Sequence, residues 1–365
     1  MPHPHAAGKK NCLEDGSPLC RLIAWEVTRS CNLACKHCRA EAHPEPYEGE
    51  LSTEEALSLI DTFPQVGKPI IIFTGGEPTL RKDLTTLIAH AHSLGLPCAC
   101  APNGTRLTPA LAQELRESGV SRCSISIDGA DAQSHDDFRG IAGAFEGAMR
   151  GIQYLKEANL PFQINTTVTK SNLAHFREIF SLCEKLGAAA WHIFLLVPMG
   201  RADHLRDQVI SAEEYEEVLN WFYEFRKTSS MHLKATCAPH YYRIMRQRAH
   251  EEGISVSTEN FGMDALTRGC LGGTGFCFIS HRGIVQPCGY LELECGDVRK
   301  TPFPTIWRES TYFREFRDPK CYSGKCGVCE YHRFCGGCRA RAYAMEQNYL
   351  APEPLCTYIP RALRT

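Results

Sequence analysis

The sequence has no long apolar run and almost no net charge. A membrane-spanning helix takes about 20 consecutive, mostly apolar residues, and the chain contains no such run. Its first segment, MPHPHAAGKKNCLEDGSP, also lacks the apolar region of a secretion signal. The formal net charge of −2 gives no indication of a broad basic surface for nucleic acid. We therefore expect a cytoplasmic protein that binds neither nucleic acid nor membrane.

Cysteine, in contrast, is abundant, with 20 copies among 365 residues. In a small secreted protein this content would indicate disulfides, but this chain is long and has no export signal. Reduced thiols at short spacings favour metal or iron–sulfur ligation instead. Three cysteines share one early loop, and ten lie between residues 270 and 356. Four isolated ones stand in apolar segments, where we expect small buried side chains: Cys98, Cys100, Cys123 and Cys183.

Strand and helix patterns alternate between residues 20 and 200. Six apolar segments predict strands: 22–28, 69–73, 96–100, 122–127, 162–168 and 191–197. Helix start signals fall between them, such as Ser52 with Glu55, and Thr108 followed by Pro109. Six βα units predict an α/β fold with a parallel sheet, and they are too few for a closed eight-stranded barrel. We therefore expect a partial (β/α)6 barrel.

Four segments are expected along the chain. Residues 1–20 form an N-terminal extension, and residues 21–200 form the partial barrel. Residues 201–260 are polar and helical, without βα alternation, and we expect them to bridge the barrel to the next segment. Residues 261–365 are rich in glycine and cysteine. They predict a small domain that metal ligation stabilises, because its apolar content is too low to fold it alone.

The early cysteine loop reads Cys31-x3-Cys35-x2-Cys38 and directly follows the first predicted strand. It therefore lies at the carboxyl end of that strand, where barrels of this kind place their active sites. A zinc site would normally use four protein ligands in paired spacings. Three thiols with no obvious fourth suit a four-iron cluster in which one iron is open to another ligand.

This loop resembles the signature of the radical S-adenosylmethionine (radical SAM) superfamily, with His37 at a position that is usually aromatic. The resemblance extends to the ends of later predicted strands, beginning with the segment TGGEP at 74–78. It implies that SAM is bound by Gly75, Gly76, Glu77, Asn103, Ser126, Asp128, Arg139 and Val197. The two glycines would let the backbone approach the ligand, and Glu77 would offer a carboxylate to its ammonium group. The resemblance also implies cleavage of SAM to a 5′-deoxyadenosyl radical that abstracts hydrogen from an unactivated C–H bond.

The later cysteines resemble the SPASM extension of radical SAM enzymes, which holds two auxiliary four-iron clusters. A zinc ribbon is disfavoured, because only five residues separate the two CxxC pairs. The resemblance implies a Cys-rich SPASM domain and three [4Fe–4S] clusters in all. Auxiliary cluster I would be held by Cys270, Cys277, Cys288 and Cys338. Auxiliary cluster II would be held by Cys326, Cys329, Cys335 and Cys356. Cys295 and Cys321 are alternatives to Cys277.

The segments KATCAPHYYRI (234–244) and RGCLGGTGFCFISHRGIVQPCGYLEL (268–293) resemble haem synthases of the sirohaem-dependent haem pathway. The resemblance implies an enzyme that converts two propionates of iron-coproporphyrin III to vinyl groups by oxidative decarboxylation, giving protohaem. We expect an electron donor such as flavodoxin or ferredoxin, and a monomeric chain. Cations or rings near this substrate are expected among His240, Tyr241, Arg243, Arg246 and Arg268, with Arg201 as a further cation.

Three alternatives stay open on the sequence alone. The first is another radical SAM enzyme of tetrapyrrole side chains, which removes acetate groups or makes haem d1. The second is a SPASM peptide maturase, although such enzymes often carry a peptide-binding domain for which residues 1–20 are too few. The third is a non-catalytic iron–sulfur electron carrier, which would not need the SAM-binding set.

Overall fold

The computed structural model of the protein describes residues 12–364. Its strands form one sheet of ten. They are β1 (Leu22–Thr28), β2 (Ile70–Gly75), β3 (Cys98–Cys100), β4 (Val120–Ser126), β5 (Phe162–Val168), β6 (Ala190–Leu195), β7 (His232–Thr236), β8 (Phe276–Ile279), β9 (Ile284–Gln286) and β10 (Gly296–Asp297).

The α-helices of the described residues alternate with the strands up to β7 and then follow one another in the last third of the chain. They are α1 (Thr53–Thr62), α2 (Leu84–Ser93), α3 (Pro109–Glu117), α4 (Ala132–Arg139), α5 (Ala144–Glu157), α6 (Lys170–Leu173), α7 (Phe176–Leu186), α8 (Ala212–Thr228), α9 (Tyr241–Glu251), α10 (Thr258–Phe261), α11 (Phe303–Glu309), α12 (Thr311–Arg317), α13 (Gly324–Val328) and α14 (Arg339–Glu346). Between residues 12 and 364, no helix is both long and apolar enough to cross a bilayer.

Helix starts follow their sequence signals. Ser52 accepts a hydrogen bond from the backbone of Glu55, whose side chain accepts one from the backbone of Ser52, so a capping box opens α1. Thr108 caps α3 in the same way with its hydroxyl, and Pro109 occupies the first turn. Both predictions are confirmed.

The six predicted strands lie side by side and parallel, as β1 to β6. Their bounds differ from the predicted ones by at most two residues, and β1 and β5 match at both ends. The prediction of an α/β fold with an open parallel sheet is therefore confirmed. The carboxyl ends of parallel strands meet at one edge, so loops that are distant in sequence come together there.

A seventh parallel strand extends this sheet. β7 pairs with β6, with Ala190 opposite His232, and α8 packs before it, so the βα alternation continues beyond residue 200. The prediction that residues 201–260 lack this alternation is therefore wrong. Polar residues concealed the strand: His232, Lys234 and Thr236 alternate with two buried apolar positions, which gives a half-buried strand little apolar content.

The cysteine-rich segment also joins the sheet. β8 pairs in parallel with β1, and β9 and β10 continue antiparallel beyond it. Residues 261–365 therefore share the barrel's sheet, and their first strands do not fold as a unit of their own. The main core lies between this sheet and its helices, around Trp25 and Trp191. The four isolated cysteines are fully buried there, as predicted.

Candidate active site

The loop after β1 brings three thiols together at the carboxyl edge of the sheet. Cys31 and Cys35 are buried, Cys38 is partly exposed, and all three belong to one packed group. The N–H of Cys38 donates to the carbonyl of Cys35 over 3.2 Å. Burial raises the pKa of Cys31 to about 12, so this thiol becomes a thiolate only beside a strong positive charge such as bound iron. Three adjacent soft donors fit an iron–sulfur cluster.

Gly75 and Gly76 serve a contact within the chain. A Cβ on Gly75 would lie 2.3 Å from the carbonyl oxygen of Thr28, and one on Gly76 would lie 2.4 Å from that of Ser30. This close approach lets the N–H of Gly76 donate to Thr28 over 2.9 Å and that of Glu77 to Ser30 over 2.8 Å. The glycines thus hold the cysteine loop against the end of β2, whereas the sequence predicted an approach to a ligand.

The Glu77 carboxylate is fully buried, and burial raises its pKa. One oxygen accepts the N–H of Asn103 over 2.6 Å, and the other accepts the N–H and hydroxyl of Thr79. The Asn103 side chain donates to the Asn32 side-chain oxygen over 2.8 Å, inside the cysteine loop. Glu77 and Asn103 therefore tie the β2 and β3 ends to this loop. Both oxygens of Glu77 thus accept hydrogen bonds within the protein, and its predicted contact with the ammonium group of SAM stays a prediction.

Arg139, at the end of α4, brings a buried cation to the cysteine loop. One guanidinium nitrogen donates toward the sulfur of Cys35 over 3.6 Å, and another pairs with Asp128. The second oxygen of Asp128 accepts the N–H of Thr167 over 2.6 Å. Although burial disfavours the charge, Arg139 lowers the pKa of Asp128. Asp128 is fully enclosed, so it positions Arg139 and does not itself face the edge.

His37, Ser126 and Val197 lie around the same edge. His37 stacks on Phe138 with ring centroids 4.2 Å apart. Burial lowers the pKa of His37 to about 3, so this ring fills the usual aromatic position of the loop without a charge. Ser126 ends β4, and Val197 follows β6, packed in an apolar group with Cys338.

Arg201 fastens the cysteine loop from the side of β6. Its guanidinium donates to the carbonyl of Cys35 over 2.9 Å and to that of Ala42 over 2.8 Å, and its own N–H donates to the carbonyl of Cys38 over 3.0 Å. Its remaining guanidinium nitrogen is buried without a partner in the described chain. Its three contacts with loop carbonyls make it a residue that shapes the cluster site.

Four later cysteines line one cavity, as predicted for auxiliary cluster II. They are Cys326, Cys329, Cys335 and Cys356. The N–H of Tyr331 points at the sulfur of Cys329, and that of Gly337 at the sulfur of Cys335, each over 3.4 Å. Amide donors of this kind stabilise thiolates. The donor set therefore fits a four-iron cluster.

Three of the cysteines predicted for auxiliary cluster I also lie together. Burial and the neighbouring thiols of Cys338 and Cys270 raise the pKa of Cys288. Cys277, in contrast, is fully buried opposite Ile23 in the sheet. The alternation of β8 turns its side chain into the main core, so the structure does not bring Cys277 to this group.

The spare cysteines do not replace Cys277. Cys295 packs against the main core, and Cys321 lies beside Asp318 and Glu315 near the surface. Across residues 12–364, no three His, Cys, Asp or Glu side chains converge on one point, as the ligands of a single metal ion must.

Two of the residues expected near the substrate, His240 and Tyr241, lie at the start of α9. Tyr241 is fully buried and packs edge-on against Phe222 of α8, with ring centroids 5.4 Å apart. The expectation that Tyr241 faces a macrocycle is therefore wrong, because the buried face of α9 packs on α8. His240 lines the cavity of cluster II, and neither of its ring nitrogens has a hydrogen-bond partner.

The three arginines of this set differ in their contacts. Arg243 is buried, and its guanidinium is paired with the carboxylate of Glu216. Arg246 lies over the ring of Phe334 at 3.7 Å, and Arg268 has a buried Nε without a partner. The charge of Arg243 is therefore neutralised within the protein, whereas that of Arg268 is not.

Glu26 is a residue that sequence reasoning missed. Its buried carboxylate contacts Arg29 at 2.8 Å, Arg39 of the cysteine loop at 3.0 Å, and His281 after β8 at 2.8 Å. Although burial disfavours the charge, these partners lower the pKa of Glu26 to about 2. Glu26 thus joins β1, the cysteine loop and the cysteine-rich segment. The available signal was a single acidic residue inside the apolar strand LIAWEVT.

A buried ion pair between Arg341 and Glu353, 3.3 Å apart, was also missed. The Glu353 carboxylate accepts the N–H of Cys338 over 2.6 Å. The N–H of Glu353 points at the sulfur of Cys326 over 3.3 Å. One residue therefore contacts a predicted ligand of each auxiliary cluster.

Comparison with protein families agrees with this geometry. Residues 25–183 match the model of the radical SAM superfamily, and residues 270–339 match the SPASM model, an iron–sulfur cluster-binding domain. The first match spans the cysteine loop and five strands, and the second spans most of the later cysteines.

Curated relatives match almost the whole chain. "AdoMet-dependent heme synthase" of Nitratidesulfovibrio vulgaris is 71% identical over 99% of this chain and 98% of its own length. A protein of the same name from Methanosarcina barkeri is 52% identical, over 93% of this chain and 97% of its own length. "Fe-coproporphyrin III synthase" of the same organism is 32% identical, over 92% of this chain and 87% of its own length.

Solved structures share the fold. anSMEcpe with bound AdoMet and a peptide has a TM-score of 0.68 at 18% identity, covering 93% of this chain and 94% of its own. Streptococcus suis SuiB bound to its precursor peptide has a TM-score of 0.70 at 15% identity, covering 93% and 76%. At these identities the likeness establishes the architecture of barrel and SPASM extension alone.

Proposed function

The chain belongs to the radical SAM superfamily and carries a SPASM domain, and on this basis we propose that it converts iron-coproporphyrin III to protohaem. As a member of this family, the enzyme uses SAM and iron–sulfur clusters. In the proposed reaction, two propionate side chains each lose CO2 and become vinyl groups. Three [4Fe–4S] clusters would serve it, one at the cysteine loop and two in the SPASM segment.

The observation that carries this proposal is the match over nearly the full length to proteins named heme synthase. A more distant relative is named for making Fe-coproporphyrin III, which is the substrate proposed here. Related sequences are thus named for forming the proposed substrate and for forming haem.

The proposed reaction releases electrons, and the later thiol sets suit a cluster that accepts them. When bound at the cysteine loop, SAM and the cluster supply a radical that takes a hydrogen atom from the β-carbon of a propionate. The Cα–carboxyl bond then breaks, CO2 leaves, and the vinyl double bond forms. This sequence releases one electron from each propionate. The cysteines around Cys288 and Cys335 provide sites for an acceptor cluster inside the protein.

Residues around the cysteine loop would hold SAM in place. Arg139 lies beside Cys35 with its charge oriented by Asp128, and it would pair with the carboxylate of SAM. Arg201 and the contacts of Gly76 fix the loop itself. Val197 follows β6 within an apolar group, and it would pack against the adenine. We propose that Arg268 supplies a cation for a propionate, because its Nε has no partner within the described chain.

The test is an anaerobic reaction. Reconstituted enzyme receives SAM, dithionite, iron-coproporphyrin III and an electron acceptor, and the porphyrin mass is followed with time. We expect a monovinyl intermediate, then protohaem, with 5′-deoxyadenosine formed in parallel. Cys35→Ala should form neither product, whereas Cys183→Ala, which changes a core cysteine, should form both.

Two outcomes would contradict the proposal. Formation of 5′-deoxyadenosine with an unchanged porphyrin would retain the radical chemistry and exclude this substrate. No SAM cleavage by a fully loaded enzyme would favour an electron carrier instead. We expect flavodoxin or ferredoxin to replace dithionite as the electron donor in this reaction. We also expect the active enzyme to be a monomer.

A further inference from the structure

The group of thiols at auxiliary cluster I lacks one of its predicted members. Cys270, Cys288 and Cys338 lie together, while Cys277 points into the main core. A [4Fe–4S] cluster takes four ligands. Either the fourth iron is open, or another side chain reaches it.

Cys237 lies where a fourth ligand is needed. It directly follows β7, at the carboxyl edge of the sheet, and packs in the same apolar group as Cys288 and Cys338. The neighbouring thiol of Cys338, burial and the thiol of Cys288 raise its pKa. Like Cys270 and Cys288, it keeps some accessible surface, whereas Cys277 has none. Its environment is therefore that of the cluster thiols and unlike that of a core cysteine.

The backbone of Cys237 is held in an unusual conformation. Its φ is +54°, in the left-handed region that residues other than glycine rarely adopt. Its carbonyl accepts the hydroxyl of Tyr215 and a guanidinium N–H of Arg341, each over 3.0 Å. Glycine adopts this φ without strain, yet the sequence places a cysteine here.

The same contacts link Cys237 to Cys338. Arg341 pairs with Glu353, and Glu353 accepts the N–H of Cys338. The guanidinium of Arg341 is fully buried and also donates to the carbonyl of Leu195, at the end of β6. The barrel edge and the SPASM segment are thereby fixed with Cys237 and Cys338 in one packed group.

We propose that Cys237 is the fourth thiolate of auxiliary cluster I, together with Cys270, Cys288 and Cys338. This inference rests on the auxiliary cluster of the proposed function, and not on the porphyrin as substrate. Four protein thiolates would leave no iron open, so the cluster they hold would serve as an electron acceptor and would not bind the substrate. Because Cys237 follows β7, the cluster is also attached directly to the barrel that holds the reacting groups.

The test compares Cys237→Ala and Cys237→Ser with Cys277→Ala in the full-length reconstituted enzyme. Iron and sulfide are counted, and EPR spectra of the reduced protein are recorded with and without cyanide as a probe for an open iron. Excess SAM occupies the open iron at the cysteine loop throughout. Circular dichroism checks that each variant is folded, and the serine variant keeps a ligand atom should alanine prevent folding.

We expect wild type and Cys277→Ala to hold about twelve irons and to show an auxiliary-cluster signal that cyanide leaves unchanged. Cys237→Ala should lose about four irons, or keep them with a signal that responds to cyanide. Cys237→Ser should keep its iron and shift the signal of one auxiliary cluster.

Two results would overturn the inference. One is a pair of Cys237 variants with the iron content, spectrum and cyanide response of wild type. The other is a wild-type auxiliary cluster that already binds cyanide while SAM is present. A wild type with no auxiliary cluster would contradict the electron acceptor of the proposed function as well, so failure of the two proposals can be told apart.

Discussion

Replacing Gly76 with alanine should dislodge the cysteine loop. A Cβ at this position would lie 2.3 Å from the carbonyl oxygen of Arg29 and 2.4 Å from that of Ser30. Ordinary contacts to a Cβ begin near 3.4 Å, so the loop must move by about 1 Å. Both oxygens belong to the backbone immediately before Cys31, and no side chain can rotate away to relieve the overlap.

The magnitude follows from the overlap and from the hydrogen bonds that it breaks. Forcing an extra methyl group into a packed site costs about 1–3 kcal/mol. The bonds from Gly76 to Thr28 and from Glu77 to Ser30 contribute about 1 kcal/mol each. Together they predict a loss of about 3–5 kcal/mol. With an unfolding entropy of about 2.1 cal/mol/K per residue, the Tm of the 365-residue chain should fall by about 4–7 °C.

The effect on catalysis should be larger than the effect on stability. A displacement of about 1 Å at a reacting group costs about 100-fold in rate. The assay is anaerobic, and measures thermal unfolding, iron content and the rate of 5′-deoxyadenosine formation. Gly275→Ala is the matched control, because its Cβ would meet nothing nearer than 3.6 Å. A Gly76→Ala enzyme as stable, as iron-loaded and as active as Gly275→Ala would refute the reasoning.

Three further predictions concern charged groups. Glu26→Gln should destabilise the protein by about 3 kcal/mol at pH 7, at about 1.4 kcal/mol per pKa unit, because the Glu26 pKa is lowered from 4.5 to about 2. Because the pKa of Glu26 is lower in the folded protein, its ionised form stabilises the fold above the unfolded-state pKa, and this stabilisation is lost as the pH falls toward 2. Urea titrations should therefore show the same difference in unfolding free energy between wild type and Glu26→Gln at pH 6 and at pH 8. Arg139→Lys keeps the charge but not the paired donors, and should raise the SAM concentration needed for half-maximal cleavage about tenfold, while the exposed Arg150→Lys should not. Glu353→Gln leaves Arg341 buried without its counter-charge, which should destabilise the protein by about 3–5 kcal/mol. Its iron content should fall below that of Glu346→Gln, a change at an exposed residue. Equal iron in the two variants would contradict the role of Glu353 beside the auxiliary clusters.

The sequence predicted the barrel well where apolar runs were clear. β1 is mostly apolar, and β5 is seven residues long with apolar residues at both ends; both match their predicted ends. β7 was missed, because alternate positions are polar and only Leu233 and Ala235 are buried. In a half-buried strand of five residues, the alternation of apolar and polar residues is too short to predict a strand unless its pairing with β6 is known.

The roles of individual site residues depended on tertiary contacts. The motif around Gly76 was recognised, but its partner Ser30 lies in another loop, so the purpose of the glycine was not visible in its own segment. The choice between Cys277 and Cys237 depends on how β8 pairs with β1, which sets the face that each side chain takes. Arg341 and Glu353 belong to no motif, and only their burial and their contact with Cys338 reveal them.

The most direct measurement uses iron-coproporphyrin III carrying deuterium at the β-carbons of its propionates. The reconstituted enzyme is given this substrate with SAM, a reductant and an electron acceptor, and both products are analysed by mass. The account predicts one deuterium in the 5′-deoxyadenosine for each vinyl group formed. Vinyl groups formed with no deuterium in the 5′-deoxyadenosine, or 5′-deoxyadenosine formed beside an unchanged porphyrin, would contradict it.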